Sequence, residues 1–164
     1  MQDMNGRRDR LYRESACKMP TKDRRPIRFL EECYRAELCA VAAYTYRSLI
    51  TERISGELSA ALDRIAVDEM EHFRLVGALI RSLGGNPCLR VHVQNEPYCF
   101  EELSPQKAEI TLVRMLKEAL REEQEEIDRY QTAMAHTEDR ILRSFLCQII
   151  SDEERHAAKL RELM

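Results

Sequence analysis

Two short stretches constrain this chain more than anything else in it: Asp68-Glu69-Met70-Glu71-His72 and Asp152-Glu153-Glu154-Arg155-His156. Both read Asp-Glu-x-x-His. Residues three apart share a face of an α-helix, so Glu69 projects beside His72 and Glu153 beside His156. A carboxylate next to an imidazole is half of a metal site. Two such halves need two more carboxylates from two more helices. The chain offers them, because Glu37 lies 32 residues before Glu69 and Glu123 lies 30 residues before Glu153. A tyrosine follows each by seven residues, Tyr44 and Tyr130. The sequence thus reads as one helix pair, Glu then Glu-x-x-His, written twice. The alternative places these glutamates on solvated faces. Their neighbours oppose it: Leu62, Ile65, Phe73 and Val76 share a stripe with Glu69, and Leu146, Ile149, Ala157 and Leu160 share one with Glu153. A carboxylate on an apolar stripe is costly unless it is paired or bound to metal.

Periodicity predicts an all-α chain of four helices. The first starts near Pro26, suited to an opening turn, and runs to about Arg53. Its inner stripe is Leu30, Tyr34, Glu37, Val41, Tyr44 and Ser48. Gly56 closes a short turn, and a second helix runs from about Glu57 to Leu83, stopping at Gly84-Gly85. Residues 86–103 form the one long connection, of a length that crosses a bundle from end to end and makes the second and third helices parallel. Ser104-Pro105 then opens a third helix that ends near Ala135, and Thr137 caps a fourth from about Glu138 to Leu163. The third helix carries six acids between Glu118 and Asp128. Glu123 is the inward choice, since Leu116, Leu120, Ile127, Tyr130 and Met134 lie on its stripe. Glu126 groups with Glu118, Glu122 and Arg129 on an outer face, and is the next choice as a ligand, one turn on.

Residues 1–25 are polar and rich in arginine and read as a flexible basic arm; residues 26–164 are the bundle. With only 5 Gly, 5 Pro and no Trp, the composition favours helices throughout. A net charge of -3 argues against nucleic acid as a partner. No apolar run is long enough to span a membrane, and no signal-peptide core is visible. The 6 cysteines form no Cys-x-x-Cys pair, which disfavours a zinc knuckle or a rubredoxin-type iron site. They read as free thiols in a reducing cytoplasm.

Four glutamates balance the charge of two divalent ions. Imidazole with carboxylate suits iron or manganese, whereas structural zinc more often takes thiolates. The predicted metal set is therefore Glu37, Glu69, His72, Glu123, Glu153 and His156. Asp68 and Asp152 are placed to accept the second imidazole N–H of the opposite histidine, Asp68 from His156 and Asp152 from His72. Tyr44 and Tyr130 have two readings, as hydrogen-bond or electron donors at the centre or as core aromatics with a bonded hydroxyl. Two bridged ions can share the electrons needed to reduce dioxygen or peroxide.

These motifs resemble the ferritin-like superfamily, in its rubrerythrin and bacterioferritin branch, over about residues 27–163. The stretch from Leu79 to Pro87 is also similar to small rubrerythrin-like proteins. The resemblance implies a ferritin-like four-helix bundle with a long crossover between helices 2 and 3, a pair of iron or manganese ions, and assembly at least to a homodimer. The activity it implies first is a rubrerythrin-like oxidoreductase reducing hydrogen peroxide or dioxygen with electrons from a separate donor. Iron storage with ferroxidase activity is the alternative, and a hydroxylase of the ubiquinone-synthesis type a further one. The Cys-x-x-Cys rubredoxin domain of rubrerythrins proper is absent. The densely charged outer faces weigh against a lipid-like substrate.

Overall fold

A computed structural model describes residues 24–87 and 108–164. They form four helices: α1 Arg25–Thr51, α2 Gly56–Ser82, α3 Ala108–Ala135 and α4 Arg140–Glu162. None of these is long and apolar enough to cross a membrane. The proposed basic arm and the Ser104-Pro105 start of the third helix lie outside the described residues.

The helix ends follow from local chemistry. Pro26 sits in the first turn of α1, where its missing N–H is no loss. Ser55, rather than a glycine, makes the start of α2: its hydroxyl accepts the Leu58 N–H at 3.2 Å, and Gly56 is already helical. At the far end Gly84 takes φ 80°, and the Gly84 and Gly85 N–H groups close back on the Arg81 and Ile80 carbonyls at 2.9 Å. That crossed pair of bonds is the usual glycine stop, and it needs the left-handed conformation glycine tolerates. The cap of α4 corrects the sequence reading. Asp139, not Thr137, accepts the Ile141 and Leu142 N–H groups, and Thr137 instead accepts the Asp139 N–H. The carboxylate two positions nearer the helix wins because it reaches two orphan donors at once.

Side-chain pairs fix the directions. Tyr44, seven residues after Glu37 on α1, bonds Glu123 on α3, while Tyr130, seven after Glu123, bonds Glu37. Seven residues are about 10 Å of helix. Both bonds form together only if α1 and α3 run in opposite directions. Tight turns make α1 antiparallel to α2 and α3 antiparallel to α4, so α2 and α3 are parallel. The end of α2 and the start of α3 are therefore at opposite ends of the bundle, as the long connection demands.

The apolar core is in two parts. Leu30, Tyr34, Val76, Ile80, Leu146 and Ile149 are among the residues that fill one end, and Leu62, Ile65, Met115, Leu116 and Leu160 are among those that fill the other. Between them lies a layer of buried charge: Glu37, Glu69, His72, Glu123, Glu126, Glu153 and His156. Leu30 and Ile149 have no exposure at all, and neither do Glu37, Glu69 and Glu153. Gly77 marks a close approach, since a Cβ there would come within 2.8 Å of the Tyr34 ring that stacks on Phe73.

Candidate metal centre

Each helix sends one glutamate into the donor cluster, α3 adds Glu126 to the layer, and α2 and α4 add a histidine one turn on. The six residues predicted as metal ligands are brought together there. Glu37, Glu69, His72 and Glu153 present one donor atom each within 4.8 Å of one another, and so do Glu69, Glu123, Glu153 and His156. Glu69 and Glu153 belong to both sets. Each half thus has one imidazole and three carboxylates, and two of those carboxylates are common to both halves.

The histidines are held by their outer nitrogens. His156 Nε2 lies 3.2 Å from Asp68 Oδ2, and His72 Nε2 lies 3.4 Å from Asp152 Oδ2. Both contacts cross between α2 and α4, and they leave Nδ1 of each ring facing the glutamates. His156 Nδ1 is 3.1 Å from Glu69 Oε1 and 3.0 Å from Glu153 Oε2. His72 Nδ1 is 2.9 Å from Glu153 Oε1, yet neither atom has a partner in hydrogen-bond geometry. Arg155 in turn grips Asp152, so the Asp152 side has an extra cation behind it. The two imidazole rings are 5.9 Å apart.

Among the described residues, no hydrogen bond satisfies the inward oxygens. Glu37 Oε2, both oxygens of Glu69, Glu123 Oε2 and Glu153 Oε1 are buried without a hydrogen-bond partner. A buried polar atom left bare costs on the order of 1–3 kcal/mol, and a charged one more. So many orphans converging on two small volumes fit cations that the donors would bind directly. The donor chemistry, nitrogen and hard oxygen with no sulfur, suits iron or manganese. Glu37, Glu69, His72 and Glu153 would hold one ion and Glu69, Glu123, Glu153 and His156 the other, with each imidazole offering Nδ1.

The electrostatics of the metal-free cluster lead to the same place. Burial and then the charges of Glu126, Glu69 and Glu153 push Glu37 well above the usual carboxylate range. Burial raises Glu123 to about 7 despite the His156 imidazole that faces it. Burial would raise Glu69 too, but the two imidazole rings that face it, His156 first and then His72, hold it at about 2. His156 is raised to about 12 against its own burial, by Glu123, Glu153 and Glu69, and His72 is raised likewise, chiefly through Asp152 and Glu153. Without metal, the layer neutralises itself by holding protons on its histidines and on part of its carboxylates.

The tyrosines are tied to the outer pair of glutamates. The Tyr44 hydroxyl donates to Glu123 Oε1 and the Tyr130 hydroxyl to Glu37 Oε1, and both phenols are pushed well above their ordinary range by burial. Each therefore stays protonated and orients one glutamate, leaving its Oε2 to face inward.

One buried charge, Arg47, escaped the sequence reading, and a second, Glu126, is named there only as the next choice of ligand. Arg47 is only 1% exposed, clamps Glu122 with bonds of 2.8 and 3.1 Å and lies over the Tyr44 ring. Its place three residues after Tyr44, on the stripe that carries Ser48 and Tyr44, was the available signal. Glu126 was put on an outer face and is buried instead, at 6% exposure, with Arg129 Nη2 3.4 Å from its Oε1. An inward face more than 100° wide takes in both Glu123 and a residue three further on.

An antiparallel bundle of four helices that buries two overlapping carboxylate–histidine donor sets, sharing two glutamates, is a dimetal-carboxylate type of protein. The ferritin-like domain matches residues 27–164, and the chain belongs to that family. No curated protein matches the chain in sequence. Among solved structures it is similar to the bacterioferritin of Desulfovibrio desulfuricans, described with its diiron site in different catalytic states, at 20% identity and a TM-score of 0.72 over 84% of this chain and 77% of that one. It is also similar to the bacterioferritin of Rhodobacter capsulatus, described with a metal-free dinuclear site and heme iron, at 22% identity and a TM-score of 0.70 over 88% and 85%. At such identities the likeness is one of fold.

Proposed function

We propose that the chain binds a pair of ferrous ions in the charged layer and oxidises them with dioxygen or hydrogen peroxide, as a ferroxidase of the iron-storage kind. One observation carries this reading: two overlapping donor sets whose inward oxygens have no hydrogen-bond partner among the described residues. The diiron and dinuclear sites named for the two bacterioferritins favour iron over manganese. With peroxide, each of two ferrous ions gives one electron, the O–O bond breaks, two protons are taken up and two waters leave. The chain's residues do the positioning. Glu69 and Glu153, common to both donor sets, would hold both ions, Asp68 and Asp152 would fix the histidine tautomers, and Tyr44 and Tyr130 hold Glu123 and Glu37. Protons held in the metal-free layer leave when cations enter.

A second reading keeps the iron as a resident cofactor that reduces peroxide and is re-reduced by an external donor, in the rubrerythrin manner. It is favoured by a cavity of about 640 Å³ between α2 and α4 that reaches His72 and Asp152 over Phe73, Phe145 and Ile149. Addition of ferrous iron in steps, with oxygen or peroxide, separates the two. A ferroxidase goes on oxidising iron well beyond two ions per chain and gathers ferric product. A resident centre stops after two until a reductant is supplied. Protein that holds no iron, or holds two ions inert to both oxidants, would sink both readings.

A further inference from the structure

The cavity of about 640 Å³ between α2 and α4 has an order along its length that the donor sets do not explain. Its three acids, Asp68, Glu71 and Asp152, lie within about a turn of His72 or in contact with it. Two of them are committed there: Asp68 Oδ2 lies 3.2 Å from His156 Nε2, and Asp152, 3.4 Å from His72 Nε2, is also gripped by Arg155. Arg81 lines the opposite end, nine residues on from His72, or about 13 Å of helix. Among the described residues no carboxylate lines that end. The wall between the two ends is apolar and partly aromatic. Phe73 and Phe145 are half-buried, so each ring keeps an uncovered edge toward the cavity. The Tyr34 ring backs Phe73 in a near-parallel stack, 4.3 Å between centroids, and Ala78 leaves beside them the room that a larger side chain would fill.

We propose that this cavity binds a flat aromatic molecule carrying one carboxylate, with the ring on Phe73 and Phe145 and the carboxylate on Arg81. The volume is that of a small-molecule site. Ring edges on an apolar wall favour an aromatic ligand, which meets them offset or edge to face. A guanidinium at the end of such a wall favours an anion, and its planar fork matches the two oxygens of a carboxylate. At the His72 end Arg74 and Arg155 share the space with three acids, so nothing there calls for a second negative charge. The ligand is thereby oriented, carboxylate outward and ring inward. Its inner edge then meets the His72–Asp152 pair, one imidazole away from the donor sets. Nε2 of His72 is turned to Asp152 and away from those donors, so the site is formed without an ion, and the inference stands apart from whether the layer holds metal.

The test is titration calorimetry on metal-free protein with biphenyl-4-carboxylate. One molecule should bind per chain. Biphenyl-4-methanol, which has the same rings and no charge, should bind about fivefold more weakly. Arg81→Gln should weaken the carboxylate by about the same factor and leave the alcohol unchanged, a split that a merely structural role for Arg81 would not produce. Decanoate, an anion without a ring, should bind less tightly than biphenyl-4-carboxylate. Ala78→Phe should abolish binding of both biphenyls by filling the cavity, with circular dichroism showing that the helices are kept. Wild-type protein that binds no biphenyl-4-carboxylate would overturn the site, and so would an Ala78→Phe protein that keeps its helices and binds like wild type. Equal affinity for carboxylate and alcohol, or for wild type and Arg81→Gln, would overturn the role of Arg81. Tighter binding of decanoate would overturn the aromatic class. Each of these outcomes leaves the metal centre standing, since the stepwise addition of iron tests that separately.

Discussion

Asp68 and Asp152 do the same job for opposite histidines but stand in different surroundings. Asp152 is held by His72 and Arg155, and those hydrogen bonds, from His72 first, keep its carboxyl at about 2. Asp68 is 42% exposed and meets His156 with more water around it. Removing either frees an imidazole to rotate or take the wrong tautomer, so Asp152→Ala and Asp68→Ala should each weaken metal binding by about 10–100-fold. Asp152→Ala should cost more, because it also strands Arg155; competition with a coloured chelator measures both. Equal and unchanged affinities would reduce these aspartates to surface charges. The metal-free layer makes a second prediction at this scale. Glu37, Glu123, Glu126, His72 and His156 all hold protons more tightly folded than unfolded, so the stability this supplies is lost as pH rises. For Glu123 the window runs from about 4.5 to about 7, and for His156 from 6.5 upward to about 12. Glu69 and Asp152, both near 2, act the other way, but only in acid. Metal-free protein should therefore lose stability between pH 5 and 8, by up to about 1.4 kcal/mol per pH unit for each proton concerned, and its melting temperature should fall over that range. Metal-loaded protein, whose cations replace those protons, should not. A metal-free melting temperature that climbs over that range would contradict the assignment.

At the scale of the helix, what was legible was whatever repeats with the helical period. Glu37, Glu69, Glu123 and Glu153 each lie on an apolar stripe, and the doubled spacing pairs them, so the four inward glutamates could be named without coordinates. Glu126 and Arg47 could not be placed that way. Each lies at the margin of the inward face, where burial depends on the partner helix supplying an opposite charge or a neighbouring ring, and one helix's pattern does not contain its neighbour. The start of α4 was misjudged for a local reason. Thr137 and Asp139 are both good caps, and the choice turns on which side chain reaches the first free N–H groups. Asp139 reaches two, at 2.9 and 3.2 Å. Asp139→Ala should then cost about 1 kcal/mol in denaturant unfolding and Thr137→Ala markedly less, since Thr137 supports only the Asp139 N–H. The reverse order would restore Thr137 as the cap.

At the scale of the molecule, the centre is complete within one chain, so assembly is decided by what lies outside it. The Ser48–Ser59 contact and the Tyr34–Phe73 stack mark the seam between α1 and α2. On the outer side of that seam α1 carries Leu49 at 64% exposure, and α2 carries Val67 at 62% and Met70 at 42%. Leu38 and Ala42 lie on the same face of α1 and are half-buried. Apolar side chains spaced along two adjacent helices give an outer face that a second copy of the chain can cover with its own, about a two-fold axis. Wild-type protein should therefore sediment as a dimer or as a larger assembly of dimers. Leu49→Glu with Val67→Glu should yield a monomer that keeps its helices and both metal ions, because the donors are buried on the opposite, inward side of the helices. A wild-type monomer at all concentrations would show the face to be ordinary surface. The size reached also bears on function: storage of ferric product needs an enclosed volume, so a closed shell built from such dimers supports the ferroxidase reading, whereas an assembly that stops at the dimer supports the resident centre with an external donor.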